Sequence, residues 1–358
     1  MALHTKHPQW YSDADVAARL DDRILREELS AALVELSCGK VHQPLRSLLP
    51  LAALCDPDRQ SQASAVGAPP GGAPPVGAPP GGPANGAPPE HGALFIKPVQ
   101  WRQLVAVKLI SLIPSNASRG LPGLLSVVVL IDALDGQTLA IMEGNVLTAR
   151  RTAAATAIAA DLFAKTGKCT LALIGSGVLA RAHARALAQV RDLCCVRVWS
   201  PTPEHAHACA TDVGGRAVGS AEEAVRDADI VCTVTHAQQP VLFGRWLKRG
   251  AFVAAVGAPR PTWRELDDEV MRHPIVVDQR EAAMREAGDL ILSGADIHAE
   301  LGEVLAGTVA PPQPGETVVF KSLGLAVEDA VAASVVLRAP HPSVDNATPD
   351  AKLWPAAR

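Results

Sequence analysis

Short, continuous apolar runs alternate with longer helical segments along the second half of the chain. Apolar runs of this length predict strands that are buried on both faces, and helices between such strands cover a parallel sheet. The pattern therefore predicts an α/β fold with a Rossmann-type doubly wound parallel sheet. The runs predicted as strands are residues 169–175, 195–200, 229–235, 251–257 and 274–278.

The first half of the chain mixes helical and strand patterns. Ser12, with Asp15 three residues later, predicts the start of a helix, and an apolar stripe from Ile24 to Leu36 predicts a second helix that ends at Gly39. Further on, three runs predict strands and an Ala-rich stretch predicts a helix, so this part is an α+β unit. These are strands 105–113, 124–132 and 138–144, with the helix at 148–165.

Residues 61–92 differ in composition from the rest of the chain. Residues 66–75 and 76–85 form a near-repeat of Gly, Ala and Pro. Such a segment can form neither a strand ladder nor a packed apolar face. We therefore predict a disordered, exposed loop.

Composition and charge narrow the class of protein. A length of 358 residues suits two domains, and a net charge of −4 gives no reason to expect nucleic acid or an anionic membrane as a partner. Residues 1–11 are polar, unlike a signal peptide, which predicts a cytoplasmic protein. The seven cysteines form no CxxC pair, so we predict reduced, buried thiols and no metal site.

Residues 175–180 have the spacing GxGxxA, directly after a predicted strand and at the start of a predicted helix. Gly175 permits a tight turn, and Gly177 lets the backbone approach a pyrophosphate. The helix N-terminus adds amide donors and the positive end of its dipole. This context predicts a dinucleotide site, which the glycine spacing alone would not do.

The end of the next strand bears on the choice between NAD and NADP. A carboxylate there would bind the ribose 2′-hydroxyl of NAD. Residues 199–202 are Trp-Ser-Pro-Thr, and the first carboxylate is Glu204. The sequence thus permits a 2′-phosphate and favours NADPH over NADH, although residues 200–201 could also form a simple turn.

Six strings in the same order along the chain resemble the ornithine cyclodeaminase/mu-crystallin family. The resemblance extends from about Leu104 to Ala333, and more loosely over residues 12–54. The strings are GNVLTARRTAA (144–154), GSGVLA (175–180), PVLFGRWLKRGA (240–251), RELDDEV (264–270), SGADIHAELGEV (293–304) and FKSLGLAVEDAVAA (320–333).

The resemblance implies a domain organisation and an assembly. A Rossmann dinucleotide-binding domain at residues 152–318 would lie within a discontinuous α+β substrate and dimerisation domain, made of residues 1–151 and 319–358. The assembly would be a homodimer. The substrate would bind in the cleft beside the nicotinamide.

The matching strings also imply roles for individual residues. Lys108 corresponds to the family's active-site lysine, Arg46 to the arginine that binds the ligand carboxylate, and Glu286 to a ligand-pocket position. Arg151 corresponds to an arginine that contacts a cofactor phosphate. The remaining positions implied for the cofactor are Gly175, Ser176, Gly177, Val178, Leu179, Thr202, Thr235, His236, Val256 and Ser322.

The function implied is NADPH-dependent reduction of a cyclic ketimine carboxylate, with NADH as the alternative coenzyme. The resemblance also allows thyroid-hormone binding in the same cleft. A second hypothesis is therefore a non-catalytic, NADPH-dependent hormone-binding or crystallin-type structural protein. Two departures from the family matter. The Asn-Arg pair expected before Thr202 is absent, and residues 257–259 are Gly-Ala-Pro where cyclodeaminases have Gly-Gly-Asp, which argues against ornithine cyclodeamination.

Simpler explanations exist for the charged residues. A lysine in a strand, such as Lys108, commonly extends to solvent. Arg150 and Arg151 could be exposed, but cations in the first turn oppose the helix dipole, so a bound phosphate or carboxylate would explain them better. His298 and Glu300 are expected to decorate the surface of a helix rather than to bind a metal.

Overall fold

Two sheets, one mixed and one wholly parallel, form the framework of the protein. The structure is a computed structural model that describes residues 7–51 and 92–340, so the segment predicted as a loop at 61–92 lies outside the described residues except for Gly92. The strands are β1 (Gln9–Tyr11), β2 (Ser47–Pro50), β3 (Ala93–Trp101), β4 (Leu104–Leu112), β5 (Leu124–Asp132), β6 (Thr138–Glu143), β7 (Lys168–Ile174), β8 (Asp192–Trp199), β9 (Arg216–Ala217), β10 (Ile230–Thr233), β11 (Phe252–Ala255), β12 (Ile275–Val277), β13 (Ala299–Glu300) and β14 (Val318–Lys321).

The helices pack on both sheets. They are α1 (Asp13–Arg19), α2 (Asp22–Ser37), α3 (Asn145–Phe163), α4 (Val178–Ala188), α5 (Pro203–Asp212), α6 (Ala221–Val225), α7 (Arg280–Glu286), α8 (Gly288–Ser293), α9 (Leu301–Leu305) and α10 (Ala326–Arg338). Helix α1 begins as predicted, with Ser12 and Asp15 in a capping box. Helix α3 lies between the two units and contacts α2, α4, β11 and β14.

The six-stranded sheet has the order β1-β6-β5-β4-β3-β2, and all its pairs except β1–β6 are antiparallel. The sequence predicted β4, β5 and β6 but missed β3, because Lys97 and Pro98 interrupt its apolar pattern. Lys97 lies directly opposite Lys108 in the β3–β4 ladder. Helix α10 packs across these two strands.

The eight-stranded sheet has the order β13-β12-β14-β11-β10-β7-β8-β9, and every pair is parallel. The chain reverses its direction of winding between β7 and β10, which is where ligands bind in open α/β sheets. The predicted α/β class with a doubly wound parallel sheet is confirmed. The domain boundaries stay a prediction: residue 152 lies within α3, and residue 318 is the first residue of β14.

Three local predictions were wrong. Helix α3 begins at Asn145 behind the N-cap Gly144, so Arg150 and Arg151 lie in its second turn and not in its first. Glu300 precedes α9 instead of decorating its surface, and its carboxylate accepts hydrogen bonds from Ser37 and from the backbone of Arg280. The prediction of buried thiols was wrong for Cys38 and Cys194, which are exposed, and is confirmed for Cys169, Cys209 and Cys232.

The described residues contain neither a helix that could span a membrane nor a cluster that could hold a metal ion. No helix in 7–51 or 92–340 has both the length and the apolar character needed to cross a bilayer. Within the same ranges, no three His, Cys, Asp or Glu side chains gather in a way that could hold a metal ion.

His183 connects α3 and α4 and supports a prediction about stability. Its imidazole is fully buried and lies 3.1 Å from Thr156 Oγ1, and burial lowers its pKa from 6.5 to about 4. Because the unfolded chain binds the proton more readily, this group stabilises the fold above pH 6.5 and loses that contribution as the pH falls towards 4. The loss should approach roughly 3 kcal/mol. Urea unfolding of the wild type and His183→Gln at neutral and acidic pH should show a smaller acid loss in the variant; parallel curves would contradict the assignment.

Candidate active site

The loop between β7 and α4 has the geometry of a dinucleotide turn. Gly175 has a φ of +114°, and a Cβ there would lie 2.7 Å from the carbonyl oxygen of Val234 after β10. The loop thus lies at the point between β7 and β10 where the chain reverses its direction of winding. Gly177 is the N-cap of α4, no side chain caps that helix, and a Cβ at Gly177 would meet nothing within 4 Å. Open space in front of uncapped amides fits a pyrophosphate.

The ends of the neighbouring strands contribute further groups. Ser322, directly after β14, is 1% exposed, and its hydroxyl has no hydrogen-bond partner among the described residues. A buried hydroxyl normally has a partner, so this one fits a polar group of a bound molecule. Val256 is buried behind β11 and His236 is exposed after β10, while Thr202 is the exposed N-cap of α5. Apart from Arg151, the predicted cofactor residues therefore follow β7, β8, β10, β11 and β14, at one edge of the sheet.

A buried carboxylate holds the loop after β10. Glu265 Oε1 accepts from the backbone N–H of Thr235 at 2.7 Å and from its hydroxyl at 2.6 Å, and Oε2 accepts from Thr233. Burial raises the pKa of Glu265. Beside it, Lys321 pairs with Asp289 at 2.8 Å and donates to the carbonyl oxygen of Gly257. These fully buried residues set the positions of the loops after β10 and β11.

Lys108 lies in a second polar cluster, between the six-stranded sheet, α3 and α10. Its Nζ is 3.0 Å from Asp329 Oδ1, and Arg151 Nε is 2.8 Å from the same oxygen. Arg151 also pairs with Glu328 at 2.8 Å. Burial lowers the pKa of Lys108 to about 8, against the opposing attraction of Asp329. Lys108 can therefore act as a proton donor or acceptor near neutral pH.

Asp329 is the anion common to this cluster. Burial opposes its ionisation, but Arg151, Lys108 and Lys97 outweigh that cost and hold the pKa of its carboxyl well below the usual range. Lys97 Nζ lies 3.6 Å from Asp329 Oδ2 and donates to the carbonyl oxygen of Gly324. The sequence analysis missed Lys97, Glu328 and Asp329. A strand lysine and an acidic pair at a helix start were the available signals, and neither is specific.

Arg46 and Glu286 form an ion pair beside this cluster, at a cleft. Burial lowers the pKa of Arg46 to about 10. The cleft is bounded by the segment before β2, by β3, by α7 and by the turn after β14. Its lining residues are Gln43, Pro44, Leu45, Arg46, Lys97, Gln279, Ala282, Glu286, Leu323, Gly324, Leu325 and Ala326.

The structure brings some of the predicted residues together and separates others. Arg46 and Glu286 are in contact, and Lys108 and Arg151 share Asp329. Arg151 is turned into the carboxylate cluster, and Arg150 pairs with Asp22 on α2, so protein carboxylates explain both arginines. Contact between Arg151 and a cofactor phosphate stays a prediction, as do the other residue roles.

Comparison with known proteins places this geometry in context. A model of the ornithine cyclodeaminase/mu-crystallin family matches residues 85–339. Ketimine reductase mu-crystallin of Mus musculus is 47% identical over 235 residues, which cover 65% of this chain and 75% of that protein. Delta(1)-pyrroline-2-carboxylate reductase of Thermococcus litoralis, solved with NADH and L-proline, has a TM-score of 0.77 at 30% identity and covers 92% of this chain and 96% of its own. An archaeal alanine dehydrogenase dimer with bound NAD has a TM-score of 0.77 at 25% identity, over 92% and 95%.

Proposed function

We propose that this chain, which belongs to the ornithine cyclodeaminase/mu-crystallin family, is an NAD(P)H-dependent reductase of cyclic ketimine carboxylates. The observation that supports this most directly is the buried Lys108, paired with Asp329 next to a cleft that contains Arg46. Two of the similar proteins are named as reductases of a ketimine and of Delta(1)-pyrroline-2-carboxylate, a ring that carries a carboxylate.

The reaction requires a cation for the carboxylate, a proton for the imine nitrogen and a hydride for the imine carbon. Arg46 would bind the carboxylate through its planar pair of N–H donors, after exchanging Glu286 for the ligand. Lys108 would donate the proton, and Asp329 and Arg151 would hold its ammonium group in place. A reduced nicotinamide coenzyme, whose pyrophosphate the glycine loop would hold, would supply the hydride. The C=N bond is thereby converted to CH–NH.

The coenzyme and the assembly are part of the same proposal. The residues after β8 include no carboxylate before Glu204, which favours NADPH, with NADH as the alternative. A homodimer is supported by exposed leucines of the six-stranded sheet, where Leu49 of β2 and Leu125 of β5 lie in one register row across β3 and β4.

The test of this function is turnover. When a five- or six-membered cyclic imine carboxylate is added, the full-length protein should oxidise the reduced coenzyme, which is measured as a loss of its absorbance. The KM for NADPH should be lower than the KM for NADH. Thyroid-hormone binding in the same cleft belongs to the alternative function, a non-catalytic binder. Hormone-dependent thermal stabilisation without any turnover of the imine would favour that alternative.

Replacing Arg46 should weaken substrate binding more than it slows chemistry. A carboxylate clamp acts in the ground state and in the transition state alike, so Arg46→Met should raise KM by about tenfold to a hundredfold and leave kcat within a few-fold. Steady-state kinetics measures both constants. Arg285→Met, at an exposed arginine of the same helix as Glu286, is the matched control and should leave both unchanged. A loss confined to kcat would contradict the assigned role.

A further inference from the structure

Lys97 is the lysine at the wall of the cleft. It lines the cleft together with Arg46 and is 7% exposed, whereas Lys108, one strand further from β2, is 1% exposed. The two lysines are direct cross-strand neighbours, an arrangement that costs stability when both are charged. The contact with Lys108 is therefore unfavourable and does not explain why a lysine lies at position 97.

The cluster contains more cations than carboxylates. Three cations, Lys97, Lys108 and Arg151, are paired with two carboxylates, Glu328 and Asp329. Lys97 has the longest ion-pair distance to Asp329: its Nζ lies at 3.6 Å, whereas Lys108 and Arg151 lie at 3.0 Å and 2.8 Å. One anion is thus missing on the side of Lys97.

Other charged groups near the cleft do not supply that anion. Asp278 accepts hydrogen bonds from the backbone N–H groups of Gln279, Leu323 and Gly324, and it forms no ion pair within the described ranges. Burial raises its pKa, and Glu328 adds to the effect. Glu286 on α7 is already paired with Arg46.

We infer that Lys97 is a second residue for the ligand's carboxylate, in the same cleft as Arg46. This inference rests on the proposed binding of a cyclic imine carboxylate. Burial lowers the pKa of Lys97 far below its usual range, and Arg151, Lys108 and Arg46 lower it further against the attraction of Asp329. An ammonium group has three donors, and Gly324 accepts only one. A carboxylate would fill the remaining donors and favour the charged form.

The role predicts selectivity for anionic ligands. A ring that carries a carboxylate beside its nitrogen should depend on Lys97, and the same ring with a neutral amide should not. Pyridine-2-carboxylate and pyridine-2-carboxamide form such a pair, since they share ring and shape and differ in charge. Neither compound requires turnover, so the measurement is independent of catalysis.

The experiment is calorimetric titration of the full-length protein, with coenzyme present. The wild type should bind pyridine-2-carboxylate more tightly than pyridine-2-carboxamide. Lys97→Met should bind the carboxylate about tenfold or more weakly, with carboxamide binding unchanged. Lys97→Arg should restore the affinity for the carboxylate, because its guanidinium is charged. Lys168→Met, at an exposed lysine of β7, is the control.

The outcomes separate this inference from the proposed function. Unchanged carboxylate affinity in Lys97→Met would overturn this inference, even if the wild type reduces cyclic imines. An equal loss for carboxylate and carboxamide would indicate a merely structural lysine and would also overturn it. Carboxylate binding that depends on Lys97, in a protein without imine turnover, would support the inference while the reductase proposal fails. A wild type that binds neither compound would overturn the inference, and its turnover of cyclic imines would still decide the proposed function.

Discussion

Lys108→Met should lower kcat by on the order of a hundredfold or more, as expected for the loss of a general acid. The reason is that Lys108 is the buried amine in the cluster whose pKa, lowered by burial to about 8, permits proton transfer near neutrality. Asp329 keeps Arg151 at 2.8 Å after the substitution, so no buried carboxylate loses all its partners. Steady-state kinetics with saturating NADPH measures the effect.

The pH profile of the wild type should agree with this role. A lysine that donates a proton must be protonated before the reaction, so kcat/KM should fall as the pH rises above about 8. Coenzyme affinity of Lys108→Met should match that of the wild type, and Lys168→Met, at an exposed lysine, should behave as the wild type throughout. Turnover in Lys108→Met equal to that of the wild type would assign the proton to another group or to water.

Gly177→Val should abolish coenzyme binding while the protein stays folded. A Cβ at Gly177 would meet no protein atom within 4 Å and the residue has an ordinary φ of −77°, so the side chain would extend into the space in front of the helix N-terminus. That space is where the pyrophosphate would lie. We expect an affinity loss of more than about a hundredfold, or about 3 kcal/mol. Fluorescence titration with NADPH and thermal unfolding measure the two properties.

Gly175→Ala is the contrasting variant, because it should lower stability, whereas Gly177→Val should lower coenzyme affinity. At a φ of +114°, with a Cβ 2.7 Å from the carbonyl oxygen of Val234, Gly175→Ala should lose stability before any ligand is added. Gly177→Val should lower stability by no more than about 1 kcal/mol, the typical worth of a helix cap. If Gly177→Val binds NADPH as the wild type does, the coenzyme does not lie over this loop.

The parallel sheet and its glycine turn were predictable because their signals are local. A strand buried on both faces needs a continuous apolar run, and the run from Cys169 to Ile174 is such a strand. The turn after it needs a residue that tolerates positive φ, and Gly175 provides it. Neighbouring residues contain all the information required, so β7, α4 and the site at their junction could be identified from the sequence.

The charged cluster depended on tertiary structure. The register of β3 with β4 places Lys97 opposite Lys108, and α10 brings Asp329 to both lysines from more than 200 positions further along the chain. A lone strand lysine in sequence is indistinguishable from one that extends to solvent. The sequence by itself determined the sheet, the glycine loop and the family to which the chain belongs. Only the packing of α10 and α3 on the six-stranded sheet decided which charged residues meet in the interior. Burial and ion pairing depend on distances between residues far apart in the chain, and the pKa values depend on both.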